Sequence, residues 1–256
     1  MAVARHRLQR IPEWRERFAN GLDPGSVLRA HKGDFSHLVF AGVTLAAPVP
    51  ANAWAIADEV ASGEYNMLSL RPGDAVADIG ANVGIFALWA GLRGAAVDSF
   101  EPHPATFAAL VANTAHLAGN ARQIAVVGGE PEATATVRLW LNPDRPSRNS
   151  ILGREVEGTG TLSEFVDVPA IGFGRVLQHG YDVVKIDVEG AEFAIFSDIS
   201  SALLSTVREF VIEVHEAMGD IATIRDPLEA AGHQVTLVPQ GPHPFTIVHA
   251  VRQGEA

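Results

Sequence analysis

The chain has 256 residues, 47% of them hydrophobic and 19% charged, which is material for one large domain with a sizeable core and no need of a covalent staple. It contains no cysteine, so disulfides, thiolate metal sites and a cysteine nucleophile are excluded. Thirty acidic against 19 basic side chains give a formal charge of -11, the wrong balance for a protein that grips nucleic-acid backbone.

Residues 1–70 read as an N-terminal extension. Arg5, Arg7, Arg10, Arg15 and Arg17 concentrate at its start and read as the solvated face of a short charged helix, followed by a turn at Gly21, Asp23, Pro24 and Gly25. No apolar run follows the basic start, and the longest apolar stretch, 75–92, is broken by Asp78, Asn82 and glycines. The expectation is a soluble, cytoplasmic protein with no membrane or nucleic-acid partner. A homo-oligomer stays open. Helical spacing over 52–62, with Trp54, Ile56 and Val60 apolar among Asp58 and Glu59, predicts a helix.

From residue 71 to 256 a second pattern holds. AVADI (75–79) predicts a buried strand followed by a helix, AAVDSF (95–100) a second strand followed by a helix over about 104–117, and RQIAVV (122–127) a third strand. An insertion at about 131–170 interrupts the alternation, with strands expected at 134–141 and 164–170 around a polar loop that contains Arg145, Arg148, Asn149 and Ser150. The insertion is expected to line the acceptor pocket or to be a plain surface loop. Strands at 181–188 and 209–215 restore the pattern, with a helix from about 191 to 196. The strands at 233–239 and 245–251 are close enough to pair antiparallel. The fold class is therefore α/β, a Rossmann-like, seven-stranded, mostly parallel sheet ending in an antiparallel hairpin, with helices on both faces.

The string from Val76 to Gly84 carries the first chemistry. Gly80 permits a sharp turn and Gly84 lets the next helix approach the sheet, while the helix start offers unpaired N–H groups. Asp78 ends the strand where a dinucleotide turn is usually apolar, and its carboxylate suits a cationic ligand such as an ammonium. Glu101 ends the second strand, placed to accept hydrogen bonds from ribose hydroxyls. The spacing is D-x-G-x-x-x-G, with Asn82 where a second glycine would admit a pyrophosphate, which argues against a nicotinamide cofactor. The plain alternatives are a capping acid at Asp78 and a surface acid at Glu101.

The strings RPGDAVADIGANVGIF (71–86), FEPHPATF (100–107) with Leu110, Asn113 and Asn120, VKIDVEGAE (184–192) and VIEVH (211–215) resemble the FkbM family of methyltransferases over about residues 58–252. The resemblance implies an S-adenosylmethionine-dependent O-methyltransferase acting on a natural product or a lipid or glycan sugar. IGFGR (171–175) departs from the helix start common in the family, and the Gly63-Glu64-Tyr65 turn resembles the family's lead-in. Asp78, Gly80, Asn82, Gly84, Glu101, Pro102 and Glu64 are then the expected cofactor contacts. The extension is expected to help cover the site.

Period-two alternation puts Asp187 and Glu189 on one side of their strand, and Glu213 and His215 on one side of theirs. If those strands are neighbours, acids and an imidazole converge at the carboxyl edge of the sheet, where such folds bind ligands. Methyl transfer to a hydroxyl needs alignment and the removal of one proton. His215, as a neutral imidazole, or Asp187 is expected to take the proton, with Glu189 and Glu192 holding the acceptor and Lys185 neutralising the acids. Asp187, Glu213 and His215 also offer oxygen and nitrogen to a metal, but no spacing demands one and none is expected. The main rival is a protein of the same fold that binds S-adenosylmethionine as an isomerase, cyclase or regulator. Formation of S-adenosylhomocysteine separates the two.

Overall fold

A computed structural model of the chain describes residues 28–31, 34–129, 135–142, 145–153, 163–240 and 245–254. The charged helix and turn expected before residue 28, residues 154–162 of the insertion and residues 241–244 between the last two strands lie outside them. The elements in order are β1 (Leu28–His31), β2 (Asp34–Phe40), β3 (Val43–Thr44), α1 (Pro50–Ala61), β4 (Ala75–Ile79), α2 (Ile85–Gly91), β5 (Ala96–Phe100), α3 (Pro104–Thr114), β6 (Ala121–Arg122), β7 (Ala125–Val127), β8 (Ala135–Leu141) and β9 (Glu164–Gly172). They continue as α4 (Phe173–Leu177), β10 (Val183–Ile186), α5 (Glu192–Phe196), α6 (Ser201–Leu204), β11 (Glu209–Val214), α7 (Ala222–Ala230), β12 (His233–Pro239) and β13 (Thr246–Arg252).

The central sheet has seven strands in the order β12-β13-β11-β10-β4-β5-β6. β11, β10, β4, β5 and β6 are parallel, and β13 runs antiparallel between β11 and β12. This is the expected Rossmann-like arrangement of a class I methyltransferase. Strand order reverses between β4 and β10, a switch point that opens a crevice at the carboxyl ends of both strands. β10 is buried along its whole length and β4 at all but its first residue, as strands covered on both faces must be. Helix α2 buries every side chain from Ile85 to Ala90, and α3 starts with Pro104 in its first turn, where a missing N–H costs nothing.

The expected third strand divides. Ala121 and Arg122 pair with Ser99 and Phe100, and the chain then turns, with the Ile124 N–H bonded to the Arg122 carbonyl at 3.0 Å. β7 leaves the central sheet and pairs in parallel with β9, which pairs antiparallel with β8 from Ala135–Ala170 to Leu141–Glu164. β8 and β9 of the insertion thus form a separate three-stranded sheet with β7, with Leu139, Val168, Ala170 and Ala125 as a small core.

The N-terminal segment packs into the same core as the sheet. Leu38, Phe40, Ala57 and Val60 are buried in one cluster with Val76, Trp89 and Val97. Polar ties fix it at two points. Asn113 bonds both the N–H and the carbonyl of Ala46 while donating to Val83 of the β4–α2 turn. At the opposite edge, the buried Glu209 carboxylate accepts from the Ser69 N–H and meets His249 at 2.7 Å, beside the Arg208–Asp74 pair at 2.6 Å. No helix among the described residues is long and apolar enough to cross a membrane.

Candidate active site

A cavity of about 460 Å³ lies over the carboxyl ends of β4, β5, β10 and β11, within the range for a small-molecule site. Its floor begins at the β4–α2 turn. Gly80 adopts φ +79°, and a Cβ there would fall 1.7 Å from the Asp187 carbonyl oxygen, so the turn and the end of β10 approach as closely as backbones can. Asn82 is also left-handed, at φ 50°, a conformation Asn tolerates because its short amide bonds locally; here Oδ1 accepts from the Val83 N–H at 2.8 Å.

Glu101 sits beside this turn, 8% exposed. Its Oε2 accepts from the Asn82 N–H at 3.0 Å and its Oε1 from the His103 N–H at 2.8 Å. Each oxygen keeps a lone pair for a further donor, so the arrangement fits the two hydroxyls of a ribose. Burial pushes its pKa up to about 7, against the pull of the two N–H donors. Pro102, Phe100 and Ile124 give this end of the cavity an apolar wall. Gly80, Asn82, Glu101, Pro102 and Glu64 all line the cavity.

Asp78 and Gly84 are not among the cavity's lining residues. In the β4–β10 register Asp78 stands directly opposite Lys185, and cross-strand neighbours on one face meet. Asp78 is fully buried with the Lys185 ammonium 3.3 Å from Oδ1, so it reaches a ligand only through Lys185. Gly84 faces α3, where a Cβ would lie 2.8 Å from Leu110 and Thr114, and its work is helix packing.

Lys185 donates to the Gly80 carbonyl at 2.9 Å and lies 3.6 Å from Asp187 Oδ2. Burial works against its charge, but Asp78, Asp187 and Glu213 outweigh burial and hold it protonated. Asp187, Glu189, Glu213 and His215 converge beside it, because β10 and β11 are adjacent and in register. His215 Nε2 is 3.5 Å from both Glu189 and Glu213. Asp187, Glu213 and His215 bring three ligand atoms within 4.8 Å of one another, the proximity a metal needs, while Lys185 already sets a fixed positive charge there.

The surroundings of His215 favour its charged form over the neutral imidazole expected from sequence. Burial alone lowers the pKa of His215, but the Glu192 carboxylate 3.2 Å from Nδ1, with Glu189 and Asp187 nearby, lifts it to about 9. Glu192 does not hold an acceptor: it is fully buried, and Oε1 accepts from the Val188 and Gly190 N–H groups as well as facing His215. Between those amides Glu189 takes φ 52°, a conformation that costs a non-glycine residue energy and aims its side chain at the cavity.

Burial and neighbouring acids hold three carboxyls above their usual range. Glu64 rises to about 8, from burial and then Glu59 and Asp187. Glu189 rises to about 8, from burial and then Asp187, and Glu213 rises with them. The far wall is formed by Asn52, Ile56, Glu59 and Val60, on one face of α1, together with Tyr65, in the extension expected to help cover the site, although none of the five was named as a site residue from sequence. Their i, i+4 spacing was the available signal. Tyr65 fixes that wall by packing on Phe86 at 4.9 Å.

Residues 78–235 match the family model described as the methyltransferase FkbM domain. The chain is 33% identical over 199 residues to the 31-O-demethyl-FK506 methyltransferase FkbM of Streptomyces tacrolimicus, covering 67% of this chain and 76% of that one. It is 28% identical to the hexuronic acid methyltransferase AglP of Haloferax volcanii, over 63% of this chain and 66% of that one. Among solved structures, magnesium protoporphyrin IX methyltransferase from Synechocystis PCC 6803 aligns over 79% of this chain and 76% of that chain, at 18% identity and a TM-score of 0.39, too distant to add to the topology above. The chain belongs to the FkbM methyltransferase family.

Proposed function

We propose that this protein transfers a methyl group from S-adenosylmethionine to a hydroxyl of a small molecule, a natural product or a sugar. The observation that carries the reading is a ribose-competent carboxylate, Glu101, and a proton-accepting carboxylate, Asp187, lining one cavity. The substrates named for two relatives, 31-O-demethyl-FK506 and hexuronic acid, support this class of acceptor.

S-adenosylmethionine supplies, when bound, a methyl carbon activated by positive sulfur. Glu101 would hold the ribose hydroxyls, with the Gly80–Asn82 turn and Pro102 completing that part of the cavity lining. A sulfonium beside them would favour the ionised forms of Glu64 and Glu189, whose pKa values stand at about 8 without it. Asp187 takes the hydroxyl proton, since it faces the cavity and His215 already carries its own proton. Lys185, tethered to Gly80, holds Asp187 in place. His215 is a positioning residue that gathers Glu189 and Glu213 around the acceptor.

Incubation with methyl-labelled S-adenosylmethionine and a panel of hydroxylated acceptors tests the assignment. Labelled methyl on oxygen, with stoichiometric S-adenosylhomocysteine, is expected. Asp187→Asn lowers kcat about 10²–10³-fold, the usual worth of a general base, with S-adenosylhomocysteine affinity within about twofold. Undiminished turnover in that variant contradicts the role of Asp187, and binding without release of S-adenosylhomocysteine contradicts methyl transfer.

A further inference from the structure

We propose that Asp187, Glu213 and His215 form a binding site for a divalent metal ion of the Mn²⁺ or Zn²⁺ kind in the cavity. The site stands by itself; its role, holding the acceptor hydroxyl, rests on the methyl-transfer reading.

No spacing in the sequence demands this ion; the pairing of two strands builds the place for it. Asp187 follows β10, Glu213 lies near the end of β11 and His215 follows that strand, and the parallel register sets Ile186 opposite Ile212. One ligand atom from each of the three lies within 4.8 Å of the other two, and all three residues line the cavity. Metal bonds of about 2.1 Å in a tetrahedron set the ligand atoms about 3.4 Å apart. His215 Nε2 and Glu213 Oε1 stand at 3.5 Å. That is long for a charged N–H···O bond, which closes to about 2.7–2.9 Å, and close to the spacing of two ligands around one ion.

Two further observations point to a ligand. The His215 side chain is only 4% exposed, and the fully buried Glu192 lies 3.2 Å from its Nδ1. A carboxylate there keeps a proton on Nδ1 and leaves the Nε2 lone pair for an ion, the way proteins orient metal-binding imidazoles. Nε2 makes no hydrogen bond among the described residues; its polar contacts are Glu213 and Glu189, each at 3.5 Å. Asp187 Oδ1 is buried and also has no hydrogen-bond partner among them, a costly state for a carboxylate oxygen. Lys185 reaches Asp187 at the other oxygen, Oδ2, at 3.6 Å, and its nearer partners are the Gly80 carbonyl at 2.9 Å and Asp78 Oδ1 at 3.3 Å. One ammonium shared in this way leaves Asp187 Oδ1 and Glu213 for a second cation. An imidazole beside two carboxylates selects an ion of intermediate hardness over Mg²⁺ and Ca²⁺, which prefer oxygen alone. Three protein ligands leave positions open, as catalytic metal sites do. An acceptor hydroxyl in one of them is aligned beside Asp187 and made more acidic.

The full chain, freed of metal with EDTA, is titrated with Mn²⁺, and the free ion is read by electron paramagnetic resonance. One site per chain with micromolar affinity is expected, and the spin echo of the bound ion should show coupling to an imidazole nitrogen. His215→Gln is expected to remove that coupling, and His215→Gln and Glu213→Gln each to weaken binding tenfold or more. Circular dichroism checks that both variants fold; if His215→Gln does not, Glu213→Gln and the nitrogen coupling of the wild type decide. Binding no tighter than millimolar, binding without nitrogen coupling, or binding that both variants keep within twofold overturns the inference. Calorimetric titration of S-adenosylhomocysteine into the metal-free protein separates this site from the reading it serves. Mn²⁺ bound at this site without S-adenosylhomocysteine binding keeps the site and removes the methyl-transfer reading, and the converse result removes the site alone. Methyl transfer undiminished by EDTA denies the ion its role with the acceptor.

Discussion

Glu101 shows how one side chain is tuned by its place at a strand end. Its two oxygens are fixed by backbone N–H groups from the turn and from His103, while burial keeps its pKa near 7. Ribose hydroxyls donate to the ionised form, so S-adenosylhomocysteine affinity should fall toward tenfold per unit as pH drops below about 7. In Glu101→Gln that dependence between pH 7 and 5.5 should vanish, as calorimetry over this range will read; an identical slope in the variant would assign it elsewhere. The position of Glu101 was legible from sequence, since a strand followed by a Pro-bearing helix start leaves little choice. The partner of Asp78 was not, because it depends on the register of two strands more than one hundred residues apart. Nor was the protonation of His215, set by a buried Glu192 that reads in sequence as an ordinary helix-start acid.

At the level of elements, the strands of the central sheet were readable as apolar runs between turns, with one exception. RQIAVV is apolar only from Ile124 onward, and the stretch serves two sheets, Ala121–Arg122 in one and Ala125–Val127 in the other, with no periodicity to mark that change of partner. Helix α4 hides its signal in five residues, with Phe173, Val176 and Leu177 buried at i, i+3 and i+4 around Gly174. Helix α7 carries Pro227 in its interior, where a lost N–H argues against a helix, yet Ile224 and Leu228 anchor it to the core. The lead-in to β4 is held by the bidentate Arg208–Asp74 pair, with contacts of 2.6 and 3.0 Å and both side chains 7% exposed. Removing one partner of such a pair strands the other, so Arg208→Ala should destabilise by about 3 kcal/mol. Denaturant unfolding measures it, and a change under about 0.5 kcal/mol would mean that the pair only marks the register.

The molecule as a whole concentrates its uncomfortable charges in one crevice. His215 is raised from 6.5 to about 9, so the stability it contributes is complete below about pH 6.5 and lost as pH rises through 9. Glu64 and Glu189 are raised from 4.5 to about 8, so they cost nothing below pH 4.5 and destabilise increasingly up to 8. All three act with the same sign. The unliganded protein should lose stability from about pH 5 to 9, His215 alone contributing on the order of 3 kcal/mol of the change. Melting temperature should fall by roughly 5–10 °C between pH 6 and 9, and a flat or rising curve would show that the crevice relaxes its charges by other means. Such a site is stabilised by a cationic ligand, which relates the strain of the fold to the function proposed for it.

Calorimetric titration of S-adenosylmethionine and S-adenosylhomocysteine into the wild-type protein and Glu101→Ala, both at pH 7.5, tests the central claim most directly. The account predicts micromolar binding of both ligands by the wild type, about -8 kcal/mol, and its loss in a variant that keeps the wild-type melting temperature. A folded wild-type protein that binds neither ligand, or a Glu101→Ala variant that binds them unchanged, would contradict it.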